Sequence, residues 1–147
     1  MTRGYCMVGL HMPKTEENIG GALRAAHVYG AAAIVISQSR VKAGATDTTK
    51  AWRHMPVLRV DGFTAVEPHD CHLIAVDIID GAEPLPLFRH PMRAFYIFGP
   101  EDGTLPLEVT NRCSHRVSVP TRYCMNLAAT VNVVLYDRMA KAMRAAE

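Results

Sequence analysis

Residues 5–37 read YCMVGLHMPKTEENIGGALRAAHVYGAAAIVIS, and this stretch decides the fold. Residues 5–11 form a short apolar run of strand length, followed at 13–17 by a polar turn with Pro13 and three charged residues. Across 18–29 the apolar residues Ile19, Ala22, Leu23 and Ala26 recur at helical spacing, with Asn18 placed as an N-cap and Gly30 as the stop. Residues 32–37 are continuously apolar, as in a strand covered on both faces. Strand, helix and strand in succession imply a parallel pair.

The pattern continues outward. Residues 38–50 are polar, 49–55 can form a short helix and 57–60 a short strand. The runs at 72–77 and 94–98 read as strands, separated by a loop with Pro84, Pro86 and Pro91. A helix is expected at 106–112 with proline in its first turn, then a strand at 115–119 stopped by Pro120. From Met125 onward Leu127, Val131, Val134, Leu135 and Met139 share a helical face, with Arg138, Lys141 and Arg144 elsewhere. The expected fold class is α/β, a mostly parallel sheet covered by helices on both faces.

The 147 residues are read as one domain, residues 1–147, large enough for a single hydrophobic core. Neither a signal-peptide core nor an apolar run of membrane-spanning length is recognisable, so a cytoplasmic protein is expected. Cys6, Cys71, Cys113 and Cys124 contain no C-x-x-C pair, which argues against a disulfide scaffold. His69, Cys71 and His72 lack a second ligand pair at zinc spacing, and no metal is expected. A net charge of +2 neither requires nor excludes an RNA partner, because phosphate binding depends on a local basic face.

In parallel sheets ligands bind beyond the carboxyl ends of the strands. Three loops there carry unusual residues. NIGGALR at 18–24 places two glycines in the first helical turns, where a close approach of backbone or ligand accounts for them. By spacing alone its Asn18 and Arg24 read as a cap and a solvated arginine. FGPEDGTLP at 98–106 puts glycines around an acidic turn, which suits a neutral or cationic ligand rather than phosphate, or else a tight structural turn. VPTRYCMNL at 119–127 brings Asn126 into an apolar helix entry, where it needs a backbone or ligand partner.

Taken in order and at their separations, N-I-G-G-A-L-R, F-G-P-E-D-G-T-L-P and V-P-(four residues)-M-N-L-A-A-T-V-N-V-V-L-Y-D resemble the three motifs of the SpoU/TrmH branch of the SPOUT RNA methyltransferases. The resemblance spans nearly the whole chain and is strongest to the minimal TrmL-type members. It implies a C-terminal deep trefoil knot, an exception to the rule against knots. It also implies a homodimer, S-adenosylmethionine as cofactor and 2'-O-ribose methylation of RNA, with tRNA and its wobble position pointed to by the smallest members.

Carried over by position, the resemblance assigns Gly99, Glu101, Gly103, Val119, Cys124 and Leu127 to cofactor binding. Arg24, Asn18, Glu101 and Asn126 become the catalytic set. A guanidinium stays protonated, so Arg24 is expected to hold phosphate and stabilise charge, with Glu101 fixing Arg24 or accepting the hydroxyl proton. Cys124 and Ala128 stand where serines commonly flank the asparagine, a departure that removes hydroxyl donors. Arg3, Lys14, Arg40, Lys42, Arg122, Arg138, Lys141 and Arg144 are available for phosphate contacts or for a solvated face. Two other classes compare with this. A nicotinamide-binding protein would need a glycine-rich phosphate loop after its first strand, which Pro13-Lys14-Thr15-Glu16 is not. A non-catalytic RNA-binding protein of the same fold is the alternative, separated by cofactor binding and methyl transfer.

Overall fold

The computed structural model describes residues 4–39, 41 and 50–147. Its strands are β1 (Tyr5–His11), β2 (Ala33–Ser37), β3 (Val57–Val60), β4 (His72–Val76), β5 (Glu83–Pro84), β6 (Arg93–Phe98) and β7 (His115–Ser118). They form one sheet in the order β3-β2-β1-β6-β4-β7-β5, and every neighbouring pair is parallel. The helices are α1 (Glu16–Val28), α2 (Leu107–Thr110) and α3 (Leu127–Ala145).

Alternation along β1 sends Cys6, Val8 and Leu10 to one face of the sheet and Met7 to the other. The first face is covered by α1 and α3 through Ile19, Leu23, Val131, Val134 and Leu135, all essentially inaccessible to solvent. Contrary to the expectation of helices on both faces, no long helix among the described residues covers the second face. A 3₁₀ turn at Phe63–Val66, supplying Phe63, and the single turn of α2 lie over Val35, Phe95 and Ile97. The segments feeding this face are punctuated by Gly62, Pro68 and Gly81 and cannot sustain a long helix.

The helix starts also differ from the reading of the sequence. Thr15, not Asn18, caps α1: its hydroxyl accepts from the Asn18 backbone N–H at 3.2 Å, and Glu16 and Glu17 occupy the first turn, where the helix dipole favours them. Asn18 is left inside the helix with its side chain free for other work. Asn126 caps α3, its Oδ1 accepting from Ala129 N at 2.8 Å, so that helix begins at Leu127 rather than Met125. The short helix at 49–55 is a 3₁₀ turn at Ala51–Arg53, with Thr49 and most of the polar stretch outside the described residues.

Arg138 and Lys141 do not form a solvated basic face. Arg138 donates to the carbonyls of Pro91 at 2.6 Å and Met92 at 2.8 Å and to the Tyr96 hydroxyl at 3.1 Å. Lys141 Nζ donates to the carbonyls of Leu85 at 2.6 Å and Phe88 at 2.8 Å and pairs with Asp137 at 2.7 Å. These donors are committed to the carbonyls that the Pro-rich loop cannot satisfy itself. Met139, expected on the buried face, is 40% exposed and lies in a stripe with the exposed Tyr136 and Met143.

His90 completes the same polar cluster, with Nδ1 2.6 Å from the Tyr96 hydroxyl and Nε2 2.7 Å from Asp137 Oδ2. Burial pushes the His90 pKa below its ordinary value against the opposing pull of Asp137. His11 is lowered as well, again chiefly by burial. Between the folded and unfolded values the unfolded chain binds the proton and the folded one does not, so stability falls as pH drops below about 6.5. Thermal melts at pH 7.5 and 5.5 are expected to show the lower midpoint at pH 5.5, with a smaller difference in His90→Gln. An equal difference in that variant would remove His90 as the source.

Candidate functional site

The carboxyl ends of β4 and β6 and the entry to α3 enclose a cavity of about 330 Å³. Gly99, Glu101, Gly103, Val119, Cys124 and Leu127, the six residues assigned to the cofactor from sequence, all line it. Met125, Thr130 and Phe98 contribute further wall, and the lining carries two carboxylates, Asp77 and Glu101, with no lysine or arginine among the described residues.

Asp77 was not singled out in the sequence, although its place at the end of the 72–77 run was the available signal. Its Oδ2 accepts from Leu105 N and its Oδ1 from Ile78 N, both at 2.7 Å. A side chain at position 99 would put its Cβ 2.7 Å from that Oδ2. Gly99 is therefore required for the close approach of the 99–105 loop to the end of β4, and Asp77 fixes that loop through the backbone.

Asn18 joins the three motifs. Its Nδ2 donates to Glu101 Oε1 at 2.8 Å, and its Oδ1 accepts from Ala128 N at 3.4 Å. The remaining carboxylate oxygen, Glu101 Oε2, is buried without a hydrogen-bond partner among the described residues, a costly state for a polar atom. The motif glycines have a second, purely packing consequence: a Cβ at Gly21 would lie 2.6 Å from the Ala128 Cβ, so the first motif brings α1 against the start of α3. A serine at 128 would add its hydroxyl beside this contact.

The other predicted residues separate from the cavity. Asn126 is exposed and spends its carbonyl oxygen on the helix cap, so it does not line the site. Arg24 is exposed on α1, makes no hydrogen bond or ion pair among the described residues and is not held by Glu101, whose Oε1 belongs to Asn18. Nearly two helical turns from Asn18 carry it around the helix, away from the face that meets the 99–103 loop. Lys14 is paired with Asp102 at 2.7 Å, and its hydrogen bond holds the Asp102 carboxyl below the usual range. Arg122 stays exposed between the lining residues Thr121 and Cys124, and Arg144 is exposed near the end of α3. Arg3, Arg40 and Lys42 lie outside the described residues. The four cysteines are free thiols, and burial drives Cys113 up to about 11. No group of three or more potential metal ligands occurs among the described residues, and none of their helices is long and apolar enough to cross a membrane.

Known proteins share this architecture. An uncharacterised tRNA/rRNA methyltransferase of Archaeoglobus fulgidus is 26% identical, over 92% of this chain and 65% of its own length. The chain thus spans just under two thirds of that relative. The SpoU methyltransferase AviRb of Streptomyces viridochromogenes superposes with a TM-score of 0.85 at 18% identity, over 98% of this chain and 62% of that one, and has also been solved with AdoMet. A structure described as giving insight into 2-OH methylation of C/U34 on tRNA superposes with a TM-score of 0.79 at 21% identity, over 97% of this chain and 94% of that one. The model of the SpoU rRNA methylase family matches residues 5–136, a span that contains the first two motifs, the third as far as Tyr136 and the whole cavity lining. The chain belongs to the SpoU rRNA methylase family.

Proposed function

We propose that this chain, as a single domain over residues 1–147, is a cytoplasmic S-adenosylmethionine-dependent 2'-O-ribose methyltransferase acting on tRNA. The observation that carries the reading is the cavity at the carboxyl edge of the sheet, where a glycine-flanked loop presents Glu101 with one buried oxygen unpartnered. The residues present fit the cofactor: apolar walls from Phe98, Val119 and Leu127 suit an adenosine, and carboxylates without basic neighbours suit a sulfonium rather than phosphates. When bound, S-adenosylmethionine supplies an electrophilic methyl group.

The chain's own residues then orient and deprotonate. Gly99 and Gly103 leave backbone groups open to the ligand, and Asp77 fixes the loop that bears them. Asn18 holds Glu101 Oε1, which leaves Oε2 as the acceptor for the proton of the 2'-hydroxyl. Cys124, in place of a serine, offers only a weak donor at the cavity wall.

Two features support assembly as a homodimer. The exposed stripe Tyr136, Met139 and Met143 on α3 is an apolar face. Arg24, exposed and turned away from its own cavity, would act at the cavity of a partner subunit, holding RNA phosphate and stabilising the developing alkoxide. Arg122 is exposed beside the cavity for a further phosphate contact. The deep trefoil knot is part of the same proposal, and the bonds from Arg138 and Lys141 to carbonyls of residues 85–92 hold α3 against the loop it would thread.

The test is transfer of a labelled methyl group to unfractionated tRNA, with mapping of 2'-O-methyl groups lost in cells lacking the protein. Transfer by the wild type and its loss in Glu101→Gln are expected. RNA binding with neither methyl transfer nor cofactor affinity would instead establish a non-catalytic RNA-binding protein.

A further inference from the structure

We propose that a second cavity at the same edge of the sheet, on its opposite face, receives an unstacked amino-bearing base, cytosine or adenine, of the RNA being methylated; this rests on the methyltransferase reading above. The cavity has a volume of about 330 Å³, within the range of small-ligand sites, and its walls include His11, Ser37, Asp61, Phe63, Ile97 and Glu108.

Strand geometry places the two cavities back to back. Phe98 lines the first and Ile97 the second, as successive residues of β6 pointing to opposite faces. Leu10 pairs with Phe98, so the next residue of each chain segment, His11 and Gly99, leaves the sheet at neighbouring strand ends about 4.8 Å apart; His11 lines the second cavity and Gly99 the first. A ribose presented to the first cavity leaves a base of the same strand within reach of the second.

The floor is polar and built. His11 is only 4% exposed and Ser37 is wholly buried, with His11 Nδ1 3.0 Å from Ser37 Oγ. His11 Nε2 makes no hydrogen bond among the described residues, and the neutral imidazole that burial favours presents it as donor or acceptor according to tautomer. Phe63 supplies an aromatic wall, itself braced edge-on against Phe95 at 5.8 Å, and unstacked bases are commonly held on such rings.

Charge selects the base. Asp61 and Glu108 are exposed at the mouth and make no hydrogen bond or ion pair among the described residues, whereas Arg112, also in the lining, has its charge paired with Glu67. Carboxylates repel phosphate and accept from exocyclic N–H groups, as in contacts to cytosine N4. Uracil offers a carbonyl at that position, a second acceptor with no hydrogen to give these carboxylates.

The experiment titrates cytidine and uridine into isotopically labelled protein saturated with S-adenosylhomocysteine, so that the first cavity is filled, with detection by NMR. Cytidine is expected to shift the signals of Gly62, Phe63 and His11 and to bind several-fold more tightly than uridine. In Asp61→Ala/Glu108→Ala, which alters exposed side chains only, the preference is expected to vanish and the RNA KM to rise several-fold, with the cofactor Kd unchanged. Absence of cytidine shifts at Gly62 and Phe63, or an unchanged RNA KM in the double variant, overturns the base pocket even when the wild type methylates RNA. A wild type that binds no S-adenosylhomocysteine and methylates no RNA overturns the underlying reading instead.

Discussion

Replacing Arg24 by alanine is expected to lower methyl transfer to tRNA by about 10²–10³-fold, the usual cost of removing one donor aimed at developing negative charge. Cofactor affinity should stay the same, because Arg24 is exposed on α1 and takes no part in the cavity lining. Arg24→Lys should be nearly as damaging: an ammonium keeps the charge but loses the planar fork that grips a phosphate. Mixing Arg24→Ala with Glu101→Gln subunits sharpens the test. If the arginine serves the neighbouring subunit's cavity, a mixed dimer regains one intact site, whereas two single-subunit sites regain none. Unchanged turnover in Arg24→Ala would exclude it from the mechanism.

The second large effect concerns Gly99. A Cβ there meets Asp77 Oδ2 at 2.7 Å, and that oxygen cannot swing aside without giving up Leu105 N, while its partner oxygen is held by Ile78 N. The 99–105 loop must therefore lift from the end of β4. Overpacking of this kind costs about 1–3 kcal/mol, and spent on the cofactor loop it weakens S-adenosylmethionine binding by roughly 5- to 150-fold. Calorimetric titration of Gly99→Ala checks this, with Gly103→Ala as the control: at 103 the nearest atom is Pro100 Cγ at 3.4 Å, an ordinary contact. Equal losses at the two positions would remove Asp77 from the explanation.

Much of the fold is legible in the chain because the strands are buried. The apolar runs at 5–11, 32–37, 72–77 and 94–98 each become a strand to within about a residue at either end, since a strand covered on both faces tolerates few polar residues. Helix starts are less legible: Thr15 and Asn18 are both good caps, and only the position of the chain decides which hydroxyl or amide meets the free N–H groups. The thin cover over Phe95 and Ile97 was hidden for a related reason, since punctuated segments announce a loop without saying which face it shields.

The candidate site divides along similar lines. Glycines and carboxylates in the 98–106 loop mark the cavity because backbone exposure and charge are local properties. What Arg138 and Lys141 do is not local. Their partners are carbonyls about 50 residues earlier in the chain, and a basic residue bound to carbonyls looks in sequence like one bound to water. Asn18 is similar: its contact with Glu101 crosses 83 residues, so its role appears only once the sheet has brought the two loops together.

The strand order has a further consequence for the life of the molecule. β7 lies between β4 and β5, both of which leave the ribosome before it does. Until residue 118 emerges, the growing chain displays an unpaired, apolar β4 edge containing Ile74, Ala75 and Val76, the kind of edge that other nascent chains can pair with. Long-range insertion of this kind is also slow. A delay in making residues 115–118 would lengthen the time for which this edge stays open to such pairing.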